Sequence, residues 1–237
     1  MSSGYDLLAI GAHPDDADLG VGGMLANAAR QGLRVAMLDL TRGELGTRGT
    51  PEERGLEAAA AARVLGVDTR VNAGLPDGAL ADTPEQRLVV IQKIRELRPK
   101  VILAPMRHDR HPDHEAAHAL ARATNFMAGL PKVETGQAPH RAGHIYFYHA
   151  YFNSPEPPSM VLDVSEVFEL KLSALREFRS QFHNPDRNEP ETAISTAAFW
   201  EQIATRAAFW GNQVGVRHGE PLYSLGPLGM ALPPGFF

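Results

Sequence analysis

Leu7-Leu8-Ala9-Ile10-Gly11-Ala12-His13-Pro14-Asp15-Asp16 runs six apolar or small residues into an imidazole and two carboxylates. An unbroken apolar run of this length reads as a strand buried on both faces, the habit of a parallel sheet. Polar residues at its carboxyl end then stand where open α/β sheets bind ligands. Working outward, residues 5–12 read as a strand, 21–31 as a helix ending at Gly32, and 34–40 as a second strand, together a βαβ unit. A loop follows over 41–49. Thr50-Pro51-Glu52-Glu53 combines capping-box spacing with a proline in the first turn, and opens a helix that runs to Gly66. Thr83-Pro84-Glu85-Gln86 repeats the device, opening a helix with Leu88, Ile91, Ile94 and Leu97 on its buried side and Pro99 as its stop. Short strands are expected at 69–73 and 100–105.

Strands alternating with helices at this spacing predict an α/β fold: a Rossmann-like, mostly parallel sheet with helices on both faces and right-handed crossovers. One domain of 237 residues, 43% of them hydrophobic, has the core it needs to fold alone. Residues 1–130 read as its Rossmann-like metal-binding core and 131–237 as a smaller, less regular C-terminal part. That part carries strands at 143–149 and 160–164 and helical periodicity at 165–179 and 192–211. Its last stretch, 221–237, is rich in proline and glycine and is expected to wrap the surface or to meet another subunit.

A net charge of -5 leaves no broad basic face for nucleic acid. No apolar stretch reaches the roughly 18–20 residues that span a bilayer, and no secretory leader is evident, so a cytoplasmic protein without membrane attachment is expected. With no cysteine, disulfides, thiolate nucleophiles and thiolate metal sites are all excluded, and a metal must be held by nitrogen and oxygen.

A second cluster, His111-Pro112-Asp113-His114, follows another apolar run, Val101-Ile102-Leu103-Ala104-Pro105. A lone His-Pro-Asp turn is most often a helix entry with aspartate as its cap, but two such turns after two strands point to one split site. The clusters converge if the first and fourth strands are neighbours. A divalent metal such as Zn2+ can then take His13, Asp16 and His114 as ligands, and Fe2+, Co2+ or Mn2+ suit the same donors. A coordination position left open for water lowers that water's pKa to about 7. Asp15, beside the ligands but kept off the metal, is the candidate general base and later acid. His111 can face the substrate's oxygen and stabilise an oxyanion, with Asp113 holding its imidazole. Arg107 and Arg110 flank the second cluster and are candidates for an anionic substrate group, while Asp109 reads as an ion-pair partner of either. Gly20, Gly22 and Gly23 lack the spacing of a nucleotide loop and read as close helix packing.

Further segments carry a resemblance: Asp39-Leu40-Thr41, Gly43-Glu44-Leu45-Gly46-Thr47, Arg54 with Glu57-Ala58, Asn72-Ala73-Gly74-Leu75-Pro76-Asp77, and Asp109-Arg110. With the two clusters, they make the chain resemble the PIG-L/LmbE-like zinc deacetylases, which remove acetyl groups from N-acetylglucosamine derivatives. Ser180-Gln181-Phe182 and the spacing are most similar to the bacillithiol biosynthesis branch, whose substrate is the N-acetylglucosamine glycoside of malate. The resemblance implies one zinc on His13, Asp16 and His114, Asp15 as general base and acid, His111 as the electrophilic histidine and Asp113 as its orienting partner. It also implies substrate contacts by Arg54 and Arg110, fitting for a dicarboxylate, and a homo-oligomer, a hexamer among its forms. Some relatives polarise the acetyl carbonyl with a tyrosine near the second cluster. Residues 106–110 contain none, which leaves Tyr148, Tyr151 or Tyr223 for that task. Rival readings are an amidase of thiol conjugates, a deacetylase of another acetylated amino sugar, and a non-catalytic metal-dependent sugar-binding protein. The presence of both Asp15 and His111 favours an enzyme.

Overall fold

The computed structural model describes residues 4–150 and 156–229. Its main sheet is built from β1 (Leu7–Gly11), β2 (Val35–Asp39), β3 (Thr69–Asn72), β4 (Val101–Pro105) and β5 (His144–Tyr148), in the order β3-β2-β1-β4-β5 and parallel throughout. β1 and β2 are buried at every position, as their unbroken apolar runs require. Successive side chains alternate between two cores: Leu7 and Ala9 join the cluster on one face, Leu8 and Ile10 that on the other. The fifth strand comes from beyond residue 130, so the C-terminal part contributes to the main sheet.

The helices between these strands are α1 (Asp16–Arg30), α2 (Pro51–Leu65), α3 (Pro84–Leu97) and α4 (Pro112–Ala128). Both expected caps form: the Thr50 hydroxyl accepts from the Glu53 N–H at 3.1 Å and that of Thr83 from the Gln86 N–H at 3.3 Å. Gly66 closes α2 in the left-handed conformation that glycine adopts without strain. Leu88 departs from expectation and is 41% exposed. The buried stripe of α3 is centred on Val90, Ile91, Ile94 and Leu97, and Leu88 falls at its edge.

The first helix also differs. It begins at Asp16, inside the polar cluster, and its backbone breaks at Val21 with φ −138° and ψ 17°. The glycines around that break are packing residues. A Cβ on Gly20 would lie 2.2 Å from the Tyr148 ring, and one on Gly23 would lie 2.8 Å from Val164. Past the break, the N–H groups of Gly23 and Met24 donate to the Glu220 carboxylate at 2.9 and 2.7 Å, which caps the second segment.

Glu220 stands on β7 (Gly219–Leu222), which pairs antiparallel with β6 (Met160–Asp163) to form a small second sheet. Among the described residues, two more α-helices, α5 (Phe168–Glu177) and α6 (Ala197–Gln213), lie between β6 and β7. Pro221 and Leu222, expected in a surface segment, are buried in β7, where Glu220 also accepts from the Lys171 ammonium at 2.6 Å. Residues 230–237 of that segment lie outside the described residues. Among the described residues, no helix is long and apolar enough to cross a membrane.

Candidate active site

Strand order reverses between β1 and β4, and the turns after these two strands form the floor of a cleft of about 320 Å³. Seven of the predicted site residues line it: His13, Asp15, Asp16, Arg54, Arg110, His111 and His114; Asp113 and Arg107 do not. Leu45, Gly46 and Thr47 form another wall, and Gln181 with Thr192, Ala193 and Ile194 a third.

Local chemistry sets each side chain. After Pro14 the backbone turns through Asp15 at φ +121°, a conformation that costs strain in a non-glycine residue. Two contacts hold the turn: the Asp16 carboxylate accepts from the His13 N–H at 2.8 Å, and the Arg54 guanidinium donates to the Pro14 carbonyl at 2.8 Å. The sharp turn sends adjacent carboxylates to different partners. Asp15 faces Arg54 at 3.2 Å. Asp16 places Oδ1 3.1 Å from His114 Nε2 and Oδ2 3.4 Å from His13 Nδ1. At the other turn, Pro112 opens α4, and the His111 ring caps it by accepting the Asp113 N–H at its Nδ1, 3.3 Å away.

Burial and charge then divide the carboxylates. Burial pushes Asp15 up to about 7, against the pull of Arg54 and with the neighbouring Asp16 charge adding to the rise. Asp16 is buried too, yet His114 and His13 hold it well below the usual carboxylate range. For His114, burial is outweighed by the Asp16 and Asp109 carboxylates, which raise it to about 10. His13 is raised for the same reason by Asp113, Asp16 and Asp77, again against burial. His111 goes the other way, lowered by burial and by the charges on His13 and His114. With Nδ1 accepting, it carries its proton on Nε2.

The donor set fits a divalent metal. Ring nitrogens of His13, His111 and His114 lie within 4.8 Å of one another, and the Asp16 carboxylate spans two of these rings. The carboxylates of Asp16, Asp77, Asp109 and Asp113 crowd His13 and His114 until both imidazoles hold protons tightly, and this is the positive charge that a cation would supply.

Several expectations are corrected by contacts between distant parts of the chain. The Asp113 carboxylate does not hold His111. It accepts from the N–H groups of Gly78 at 2.7 Å and Leu80 at 3.3 Å and lies 3.3 Å from His13 Nε2, so only its backbone reaches His111. Arg54 is buried, and its guanidinium is engaged by the Asp15 carboxylate and the carbonyls of Pro14 and Gly43, while the residue also lines the cleft. Arg110 is exposed at the rim of the cleft. Asp109 pairs with neither arginine. One of its oxygens accepts the His111 N–H at 2.9 Å and the other lies 3.1 Å from His114 Nδ1, while Arg107 pairs with Glu156 at 2.6 Å. Tyr148 is absent from the cleft because its hydroxyl donates to the Ile10 carbonyl at 2.8 Å inside the sheet, and Tyr223 packs edge-on against His149. Tyr151 lies outside the described residues.

Three residues of the site are given no role in it by the sequence. Asp77 approaches His13 Nε2 at 3.1 Å and accepts the Leu45 N–H at 2.8 Å, Asp109 backs His114, and Gln181 lines the cleft. The available signal is a carboxylate in the turn after a strand, and it applies to Asp77 and Asp109 alike.

Comparison with known proteins gives the chain a family. Residues 8–125, which contain both clusters, match the family model for PIG-L, described as GlcNAc-PI de-N-acetylase. The diacetylchitobiose deacetylase of Thermococcus kodakarensis is 32% identical over 231 residues, covering 90% of this chain and 80% of that protein. Among solved structures, a conserved protein of Thermus thermophilus superposes with a TM-score of 0.86 at 44% identity, covering 96% of this chain and 97% of that one. The N,N'-diacetylchitobiose deacetylase of Pyrococcus horikoshii, in complex with an inhibitor, follows at 0.77 and 28%, covering 93% of this chain and 83% of that one. The family match over both clusters and the near-complete coverage by a deacetylase relative lead to one assignment: the chain belongs to the PIG-L family of N-deacetylases.

Proposed function

We propose that this protein is a zinc-dependent hydrolase that removes the acetyl group from an N-acetylglucosamine glycoside. The observation that carries the reading is Asp15: a buried carboxylate at the cleft surface, beside the metal-ligand set but paired with Arg54 instead, and raised to about 7. Such a group can take up and give back a proton near neutrality. His13, Asp16 and His114 would hold the metal, which when bound supplies an acidified water and a Lewis acid for the acetyl carbonyl. The chain's own residues do the rest. Asp15, oriented by Arg54, takes the proton of the attacking water and delivers it to the departing amine. His111 donates from Nε2 to the carbonyl oxygen as charge develops there. Leu45 and the Ala193–Ile194 stretch cover the cleft with apolar surface, and Thr47, Gln181 and Thr192 offer hydrogen bonds suited to sugar hydroxyls.

Within this class the sequence resemblance favours the malate glycoside of bacillithiol biosynthesis, and the rim position of Arg110 gives a malate carboxylate a cation to meet. Acetate release from the malate glycoside, diacetylchitobiose and free N-acetylglucosamine tests both levels of the reading. Acetate from the glycosides is expected, with preference for the malate form, and Arg110→Ala is expected to raise KM for that substrate alone. Preference for diacetylchitobiose would replace malate with a second sugar. No acetate from any of the three, with metal bound, would overturn the deacetylase reading.

A further inference from the structure

We propose that His149 is a positioning residue: its imidazole fixes the Asp109 carboxylate, which in turn fixes the imidazole of His114 toward the metal. The inference rests on the metal-dependent reading above, and it concerns a side chain that does not line the cleft.

His149 follows β5 directly and is buried, and neither of its ring nitrogens has a hydrogen-bond partner among the described residues. An interior imidazole left in this way is uncommon and asks for an explanation. Packing is part of the answer, since the ring meets Tyr223 edge-on with centroids 5.1 Å apart. The rest lies in the direction of Nδ1, which stands 4.0 Å from Asp109 Oδ2. That oxygen is the one 3.1 Å from His114 Nδ1, while Oδ1 is occupied by the His111 N–H. The Oδ2 atom is thus placed between two imidazoles, 3.1 Å from one and 4.0 Å from the other. One small approach of the ring lets Nδ1 donate to Oδ2, which gives that nitrogen a partner and anchors Asp109.

The backbone that follows the ring is tied by a side chain. Arg206, half-buried, donates to the carbonyls of His149 and Ala150 at 2.8 and 3.1 Å. A carboxylate against the far nitrogen of a metal-binding imidazole sets that ring's tautomer and orientation. Asp109 needs such an anchor because it sits in the turn between β4 and α4 rather than on either element.

The test is zinc affinity of the full chain, by competition with a chromogenic chelator, for wild type, His149→Phe, Asp109→Asn and the double variant. Phenylalanine keeps the ring contact with Tyr223 and removes both nitrogens. His149→Phe is expected to weaken zinc binding about tenfold and to lower kcat with KM unchanged, the low end of the roughly 10–100-fold that loss of a ligand's outer partner brings. In the Asp109→Asn background the same substitution should change affinity by less than about twofold, because its effect passes through Asp109. His149→Asn, which restores a donor on the Nδ1 side, should recover most of the loss. Unchanged affinity in His149→Phe, or equal losses in both backgrounds, would overturn the inference and leave His149 a packing residue. If His149→Phe does not fold, His149→Leu against His149→Asn makes the same comparison. Wild type that takes up no divalent metal would overturn the metal-dependent reading together with the inference.

Discussion

Asp15 differs from Asp16 by one position in the chain and by everything around it. The positive φ at Asp15 aims its carboxylate at Arg54, and Asp16 stays with the two imidazoles. Asp15→Asn keeps the shape and all three metal donors, so turnover should fall about 10²–10⁴-fold while metal content per chain stays at the wild-type level. Near-normal turnover would remove Asp15 from the base's role. Arg54→Gln tests whether the arginine orients Asp15: kcat should then fall with little change in KM, because the substitution disturbs the base rather than a substrate contact. A raised KM at unchanged kcat would return Arg54 to substrate binding. His118 offers a separate reading by pH. Burial lowers it from 6.5 to about 4, against the carbonyl of Pro105 that accepts from its Nδ1 at 3.0 Å. The unfolded chain therefore binds this proton more readily, so the contribution of His118 is whole above pH 6.5 and is lost as the pH falls toward about 4. His118→Phe should be less stable than wild type at neutral pH by about 1–3 kcal/mol through the orphaned carbonyl, yet lose less on acidification. Parallel melting curves for the two proteins across that window would contradict this.

Among the elements, α1 has the least ordinary construction. Its break at Val21 exposes N–H groups that Glu220 covers from the far end of the chain, and Glu220 in turn neutralises buried Lys171. Glu220→Ala strips both, and should destabilise the fold by about 3–5 kcal/mol in urea denaturation, as removing one partner of a buried pair does. A loss within about 0.5 kcal/mol, the scale of surface substitutions, would show that the cap is dispensable. Gly20 is tied to the same helix by steric fit. The Tyr148 ring it touches is pinned through its hydroxyl to Ile10, so Gly20→Ala should cost about 1–3 kcal/mol of overpacking. What is legible in the sequence here is local. The caps at Thr50 and Thr83 and the stop at Gly66 can be read directly because each depends on residues three or four apart. The start of α1 cannot, because Asp16 reads as part of a polar cluster when it also stands, with Asp18, in the acidic first turn of a helix. Glu220 lies almost two hundred residues from the groups it caps, beyond the reach of any periodicity.

At the scale of the molecule, the split site is legible because each half follows a buried strand and the strands prove adjacent. The residues that tune it are not, since Asp77, Asp109 and Gln181 arrive from loops whose approach depends on the whole fold. The same holds beneath the cleft, where Arg70 on β3 donates to Asp39 at 2.8 and 2.9 Å and to Asp18 at 3.1 Å, tying β2, β3 and α1 together under the floor. A site built from so many parts of the chain joins activity, metal and stability in one measurement. Protein stripped by chelation and titrated with zinc should regain acetate release from an N-acetylglucosamine glycoside and a higher melting midpoint together, both saturating at one metal per chain. Full acetate release from the stripped protein, with neither property responding to zinc, would contradict the account.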